Sequence, residues 1–264
     1  MYSRKMGNRL RHMAEELFLR HARLLNRAQY GRPDMFRIVD IEITTLCNRK
    51  CGYCPLSYSS ESKKKNYMDI RVFDRAISGL ERIGFKGELN FGGYGEPLLD
   101  TRIPEFLRMA RRRLPNVLLT VHTNGDFFTD EHLKLFSEYD IRAYVTLHDD
   151  SQKSKDFIRR YSKSEHVFVR QNIENDTLST RGGLVEVKNR EIKKICIHAP
   201  LILKINSSGD VVICADDFNA ENTFGNVMER TLLDIWDDGH FSEIRRKLAA
   251  GNPELSICRH CFSR

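Results

Sequence analysis

The chain has 264 residues, 41% of them apolar and 30% charged, with a net charge of +7. That is enough to bury a core without covalent staples, as one large domain or one domain with a small appendage. No apolar run approaches the ~20 residues that cross a bilayer, no signal-peptide h-region follows the basic N-terminus, and the seven cysteines do not read as a disulfide framework, so a reducing cytoplasm is expected.

Residues 8–29 have helical periodicity, with Leu10, Met13, Leu17, Leu24 and Ala28 in one stripe that is expected to dock on the domain that follows. Gly31 to Asp34 break this helix. Strands and helices then alternate: strands at 36–43, 88–91, 117–122, 141–147 and 166–170, a candidate sixth at 184–187, and helices at 69–83, 103–113, 130–139 and 154–161. That order argues for a parallel sheet with helices outside it. The texture changes near residue 190. A hairpin is expected from 201–206 and 210–214 about Ser207-Ser208-Gly209, then a turn into a strand at Gly225-Asn226-Val227, then helices at 231–236 and 241–249. The basic runs at 9–11, 63–65, 111–113 and 245–247 are scattered and no nucleic-acid motif accompanies them, so they read as solvated surface rather than a nucleic-acid site.

Chemistry concentrates after the first strand, where Cys47, Cys51 and Cys54 form CxxxCxxC. Three soft thiolates on one tight loop can hold three irons of a [4Fe–4S] cluster and leave the fourth open to a small molecule. A zinc knuckle or a disulfide pair is the alternative, although structural zinc usually takes four ligands. Four further cysteines, Cys196, Cys214, Cys258 and Cys261, are enough for a second, fully ligated cluster or for a four-cysteine zinc site. Between the two sets lie Gly92-Gly93-Tyr94-Gly95-Glu96-Pro97 after the second strand, Thr123-Asn124-Gly125 after the third and His148 after the fourth. In parallel barrels such strand ends carry the active site.

With Tyr53 just before its third cysteine, CxxxCxxC resembles the signature of the radical S-adenosylmethionine (SAM) enzymes. The C…GxxxxC arrangement of Cys196, Gly209 and Cys214, with the terminal CxxC, resembles the twitch domain, the shortened form of the SPASM extension. The resemblance covers residues 36–264. It implies an N-terminal helix over 1–35, a partial (β/α)6 barrel over 36–190 and a twitch domain over 191–264. It also implies SAM and two [4Fe–4S] clusters, one on Cys47, Cys51 and Cys54 and one on Cys196, Cys214, Cys258 and Cys261. Gly95, Glu96 and Pro97 match the motif that contacts the SAM amino group, with Tyr94 where the plain motif has Gly, and Gly93 just before them is a further SAM-binding candidate. Asn124 falls where ribose contacts occur, His148 is a pocket candidate and Tyr53 is placed beside the adenine. In that family the reduced cluster cleaves SAM to a 5′-deoxyadenosyl radical, which takes a hydrogen atom from the substrate.

Assigning all seven cysteines to clusters leaves no thiol to return a hydrogen atom, and a fully ligated auxiliary cluster suits electron transfer. The expected reaction is therefore oxidation of a small carbohydrate-like or aminocyclitol alcohol to a ketone, with a flavodoxin or ferredoxin as electron donor. Arg181 matches the region where twitch dehydrogenases of aminocyclitol antibiotic assembly place a substrate-contacting Arg, with Arg170 and Gln171 as further candidates. The competing readings are a peptide maturase, for which the 35 residues before strand one leave little room for a leader-binding module; a sugar dehydratase, deaminase or epimerase; and a zinc- or cluster-bearing nucleic-acid-binding protein.

Overall fold

The computed structural model describes residues 8–58, 66–171, 178–187 and 192–262; the basic run at 63–65 lies outside the described residues. Helix α1 (Asn8–Tyr30) precedes β1 (Ile38–Ile41), α2 (Ile70–Ile83), β2 (Glu88–Phe91), α3 (Ile103–Arg113) and β3 (Leu118–Thr123). Then come α4 (Asp130–Glu138), β4 (Ile141–Leu147), α5 (Gln152–Tyr161) and β5 (Val167–Gln171). The C-terminal part holds β6 (Ile202–Ile205), β7 (Asp210–Val212), β8 (Thr223–Asn226), α6 (Leu232–Trp236), α7 (Gly239–Ala249) and α8 (Ser256–Phe262).

The local signals behave as physical chemistry requires. Asp69 caps α2 by accepting from the Arg71 amide, and Gly84 ends it at a φ of 66°. The apolar face of α2, Val72, Phe73, Ala76, Ile77 and Leu80, is buried. Thr129 and His132 form a capping box at the start of α4.

One eight-stranded sheet runs β5-β4-β3-β2-β1-β6-β7-β8. The pairs from β5 to β6 are all parallel, and β7 and β8 are added antiparallel. Alternation sorts the two faces. Val39, Ile41, Leu89, Phe91, Leu119 and Val121 are buried in the main hydrophobic core. The opposite face carries Asp40, Asn90, Thr120 and Lys204, whose side chains bond to one another: Lys204 Nζ donates to Asp40 at 3.0 Å and Asn90 Nδ2 donates to Asp40 at 3.2 Å. Further along that face His122, Tyr144 and Phe168 sit opposite one another in register. Their rings meet at centroid distances of 5.2 Å, and Phe168 remains 43% exposed. This row of polar and aromatic side chains lines the sheet face away from the main core.

The turn expected at Gly225-Asn226-Val227 follows a strand instead of opening one, since Gly225 and Asn226 end β8, and Arg245 of the basic run at 245–247 is buried against Trp236 and Phe241 rather than solvated. Two larger sequence expectations are also corrected. Residues 184–187 form no strand: a 3-10 turn at Arg181–Gly183 leads into a turn and coil there. The sixth parallel strand is β6, paired with β1 from Ile38↔Ile202 to Ile41↔Ile205, and the same strand pairs antiparallel with β7 as the expected hairpin. A short apolar run carries no mark of which neighbours it will pair with. The stripe of α1 is the second correction. Leu10, Met13, Leu17 and Leu24 are 50–63% exposed, and the helix docks through its other side, with Leu19 and Ala22 packed on Ile195 and Leu201. Asn26 anchors that side by donating to the carbonyls of Pro33 and Met35. A narrow inner face of two apolar residues and an asparagine has too little periodicity to outweigh the wider outer stripe in a sequence reading.

Candidate active site

The first cysteine loop lies directly beyond β1. Cys54 N–H donates to Cys51 C=O at 3.0 Å, and Ser57 Oγ donates to the same carbonyl at 2.8 Å, which winds Cys51 and Cys54 into one turn. Burial pushes the Cys54 thiol up to about 11, and the neighbouring Cys51 and Cys47 add to the rise, so the three sulfurs share one space. Backbone N–H groups are aimed at them, from Arg49 to Cys47 and from Leu56 to Cys54, and the Asn124 side chain also reaches Cys47. Such donors suit thiolate ligands of a cluster, whose charge they spread. The donor set therefore fits an iron–sulfur cluster held by Cys47, Cys51 and Cys54.

A charged clamp fixes this loop to the ends of β3 and β4. Arg49 donates to both oxygens of Asp126, at 2.5 and 2.8 Å, and to Asp149 at 2.9 Å. Asn48 donates to Asp126 at 2.7 Å and accepts from Asn124 Nδ2 at 2.8 Å. Arg49, and then Asn48 and Lys153, hold the Asp126 carboxyl down at about 2 despite its partial burial. The sequence reading missed the clamp. Its signal was an Arg among the cysteines facing two Asp residues just past strand ends.

The GYGEP segment is laid against the same loop. Glu96 N–H donates to Leu46 C=O at 2.7 Å. A Cβ at Gly95 would stand 2.0 Å from the Thr44 carbonyl oxygen, so only glycine permits this approach. Gly93 lies beside the buried Glu42, whose carboxylate accepts from Tyr94 N–H at 3.3 Å. Pro97 opens the 3-10 turn Pro97–Leu99. Glu96 is 2% exposed and turned inward, accepting from Thr123 Oγ1 at 2.6 Å, Asn124 N–H at 2.7 Å and Leu98 N–H at 3.0 Å. Burial raises its pKa and these donors oppose the rise. The carboxylate thus ties the end of β2 to the end of β3. His148 is brought to the cysteine loop: its Nδ1 lies 3.8 Å from Cys51 Sγ and in contact with the Tyr53 hydroxyl, and the two rings stack at 5.9 Å.

The second cysteine set converges from separate pieces of chain. Cys196 precedes β6, Cys214 follows β7, and Cys258 and Cys261 lie one turn apart on α8. Burial pushes Cys258 up to about 12, with Cys196 and Cys261 next among the causes. Burial likewise raises Cys214 well above its ordinary value, helped by Asp216, Cys196 and Cys258. Amide donors again face sulfur, from Ala199 to Cys196 at 3.5 Å and from Asp216 to Cys214. Among the described residues no three potential ligands close around a single metal ion. Cys196 neighbours Cys214, Cys258 and Cys261, and Cys258 neighbours Cys214 and Cys261, so the four thiols converge as a donor set that fits a cluster, which spreads its ligands more widely than one ion does.

Arg181 stands between the sets. Its guanidinium donates to Ser179 Oγ at 3.1 Å and to Asp216 Oδ1 at 3.4 Å, and lies 6.0 Å from the centre of the Tyr94 ring. Burial opposes its charge, but Tyr94, Asp216 and Cys54 outweigh burial and hold its pKa above the ordinary value. Its Nε is buried without a partner among the described residues. Tyr94 also packs edge-on against the buried Phe218 at 5.1 Å. The Tyr at this motif position therefore joins the GYGEP loop to the C-terminal cysteine region. Arg170 and Gln171 end β5 at the far edge of the sheet.

Known proteins resemble this chain in sequence and fold. A family model of the radical SAM superfamily matches residues 41–171, and the SPASM model, an iron–sulfur cluster-binding domain, matches residues 196–262. The S-adenosyl-L-methionine-dependent 2-deoxy-scyllo-inosamine dehydrogenase of Niallia circulans is 28% identical over 86% of this chain and 93% of its own. A solved structure, BtrN in complex with AdoMet and 2-DOIA, is 29% identical and superposes with a TM-score of 0.75 over 82% of this chain and 88% of that one. Native anSMEcpe with bound AdoMet shares the fold at 13% identity, with a TM-score of 0.58 over 86% of this chain and 91% of that one. No helix among the described residues is long and apolar enough to cross a membrane. The chain belongs to the radical SAM superfamily and carries a SPASM domain: it is an enzyme whose cofactors are SAM and iron–sulfur clusters.

Proposed function

We propose that this enzyme oxidises one carbinol of a small aminocyclitol or related carbohydrate-like alcohol to a ketone. The observation that carries the reading is Arg181, half-buried between the two cysteine sets with a buried Nε–H that has no partner among the described residues. A substrate hydroxyl there would complete a costly unmet donor. The polar row of Asp40, Asn90 and Lys204 on the sheet face away from the main core has the chemistry to meet a hydroxylated ring, and the Niallia circulans relative is named for such a reaction.

Bound SAM with its reduced cluster supplies hydrogen-atom abstraction, and the auxiliary cluster supplies a one-electron acceptor. Cys47, Cys51 and Cys54 hold the first cluster; Cys196, Cys214, Cys258 and Cys261 hold the second as [4Fe–4S]. Gly93, Gly95 and Pro97 shape the seat for the SAM amino group, with Glu96 locking that loop onto β3. Asn124 and the Tyr53–His148 pair set the walls beside the cysteine loop. Arg181 grips the hydroxyl under oxidation. Ketone formation removes one hydrogen atom from carbon, one proton from oxygen and one electron, so the balance requires an acceptor other than SAM. The electron donor for SAM cleavage would be a flavodoxin or ferredoxin of the cytoplasm.

The test measures 5′-deoxyadenosine and ketone from the reconstituted, reduced enzyme with 2-deoxy-scyllo-inosamine, other aminocyclitols, nucleotide sugars and peptides. The expected result is 5′-deoxyadenosine above background, with ketone, for the aminocyclitol class. Arg181→Ala is expected to keep both clusters and SAM cleavage and to lose ketone. Full ketone formation by that variant would remove Arg181 from the site, and turnover of a peptide in place of the alcohols would replace the reading with a maturase.

A further inference from the structure

The Asp216 carboxylate faces two ways. Oδ1 accepts from Ser179 Oγ at 2.9 Å and from Arg181 at 3.4 Å, while Oδ2 lies 3.8 Å from Cys261 Sγ. Its own amide supports Cys214. The ion pair is sheltered, with 23% of the Arg181 side chain and 14% of the Asp216 side chain exposed. The turn that presents Arg181 is tightly constrained. Arg181 has a φ of 52°, in the left-handed region that non-glycine residues avoid. Gly182 and Gly183 follow with positive φ, and a Cβ on either would come within 2.6 Å of Ile257 or His260, both on α8 beside Cys258 and Cys261. Strain of this kind persists only where the surroundings over-determine it. The turn is thus pressed onto the helix that bears two of the cluster cysteines.

We propose that Asp216 and Arg181 form a positioning pair that sets the reduction potential of the auxiliary cluster, the carboxylate lowering it and the guanidinium offsetting that charge. The pair rests on the reading of Cys196, Cys214, Cys258 and Cys261 as cluster ligands. Adding an electron to a cluster is opposed by a fixed anion beside a ligand sulfur and favoured by a nearby cation, and in a sheltered site these effects are weakly screened. The residue expected to meet the substrate would then also adjust the acceptor that takes the substrate's electron.

The experiment is an EPR-monitored redox titration of the 264-residue chain carrying Cys47→Ala, Cys51→Ala and Cys54→Ala, so that only the auxiliary cluster is present. Iron and sulfide content checks its loading. Absence of iron and sulfide from this protein would overturn the ligand reading itself. With the cluster present, Asp216→Asn is expected to raise the midpoint by at least about 59 mV, a tenfold change for a one-electron couple. Arg181→Met is expected to lower the midpoint, and Asp216→Glu, which keeps the charge, to stay close to the parent. An unmoved midpoint in Asp216→Asn overturns the proposal. So does a rise in Arg181→Met, which would mark general loosening of the cluster rather than a charge effect. If Asp216→Asn fails to hold the cluster, the fall required of Arg181→Met and the unmoved midpoint required of Asp216→Glu still decide.

Discussion

Cys47, Cys51 and Cys54 come from one short loop wound by its own hydrogen bonds, whereas Cys196, Cys214, Cys258 and Cys261 are gathered from three stretches between residues 196 and 261. The first site is local, and its remaining freedom is removed by Arg49 and Asn48 on Asp126. The second must close long loops, an entropic cost that the surrounding packing has to offset. Its supports are correspondingly distant in sequence: Leu19 and Ala22 of α1 pack on Ile195 next to Cys196, and the Arg181–Gly183 turn packs on α8. Two sites of like chemistry thus depend on different parts of the molecule, and each can be disturbed without the other.

The largest effect is expected from Cys214→Ala. Ketone formation should fall on the order of a hundredfold or more while 5′-deoxyadenosine formation stays within about twofold, because only the later electron transfer is lost. Parallel assay of both products checks it, and loss of 5′-deoxyadenosine as well would show that the two sites are not separable. Asp126→Asn attacks the other side. Exchanging the charged acceptor of the Arg49 clamp should cost about 1.5–3 kcal/mol. The loss should appear as a lower Tm and faster bleaching of the SAM-binding cluster in air, with the auxiliary cluster retained. Equal bleaching of both clusters would contradict the division.

The smallest effects separate the two faces of α1. Leu17→Ser, in the exposed stripe, should change stability by no more than ~0.5 kcal/mol. Leu19→Ser, on the docked face, should cost about 2 kcal/mol or more and weaken retention of the auxiliary cluster before that of the first. Chemical unfolding with iron analysis measures both. A Leu17→Ser penalty matching that of Leu19→Ser would mean that the stripe is covered in solution.

The barrel half of the molecule was legible because its signals are local. The turn residues, the caps at Asp69 and Gly84, and the placement of the GYGEP and TNG segments after strands depend on near neighbours in the chain. The Arg49 clamp was not legible, since nothing in the cysteine loop states which of the many acidic residues it will meet. The inward turn of Glu96 was also hidden, because a motif indicates that a carboxylate is present and not where it points.

By itself the sequence determined the number and spacing of the thiols, the alternation of strands and helices, and the family to which both belong. These are properties of residue type and short-range order. Only the tertiary structure decided that β6 serves as the sixth parallel strand, that α1 docks by its narrower face, and that Tyr94, Arg181 and Asp216 meet between the two cysteine sets. Each is a choice among partners far apart in the chain. Such choices are settled by which packing buries the most apolar surface and leaves the fewest polar groups unpaired, a sum over the whole molecule that no local pattern contains.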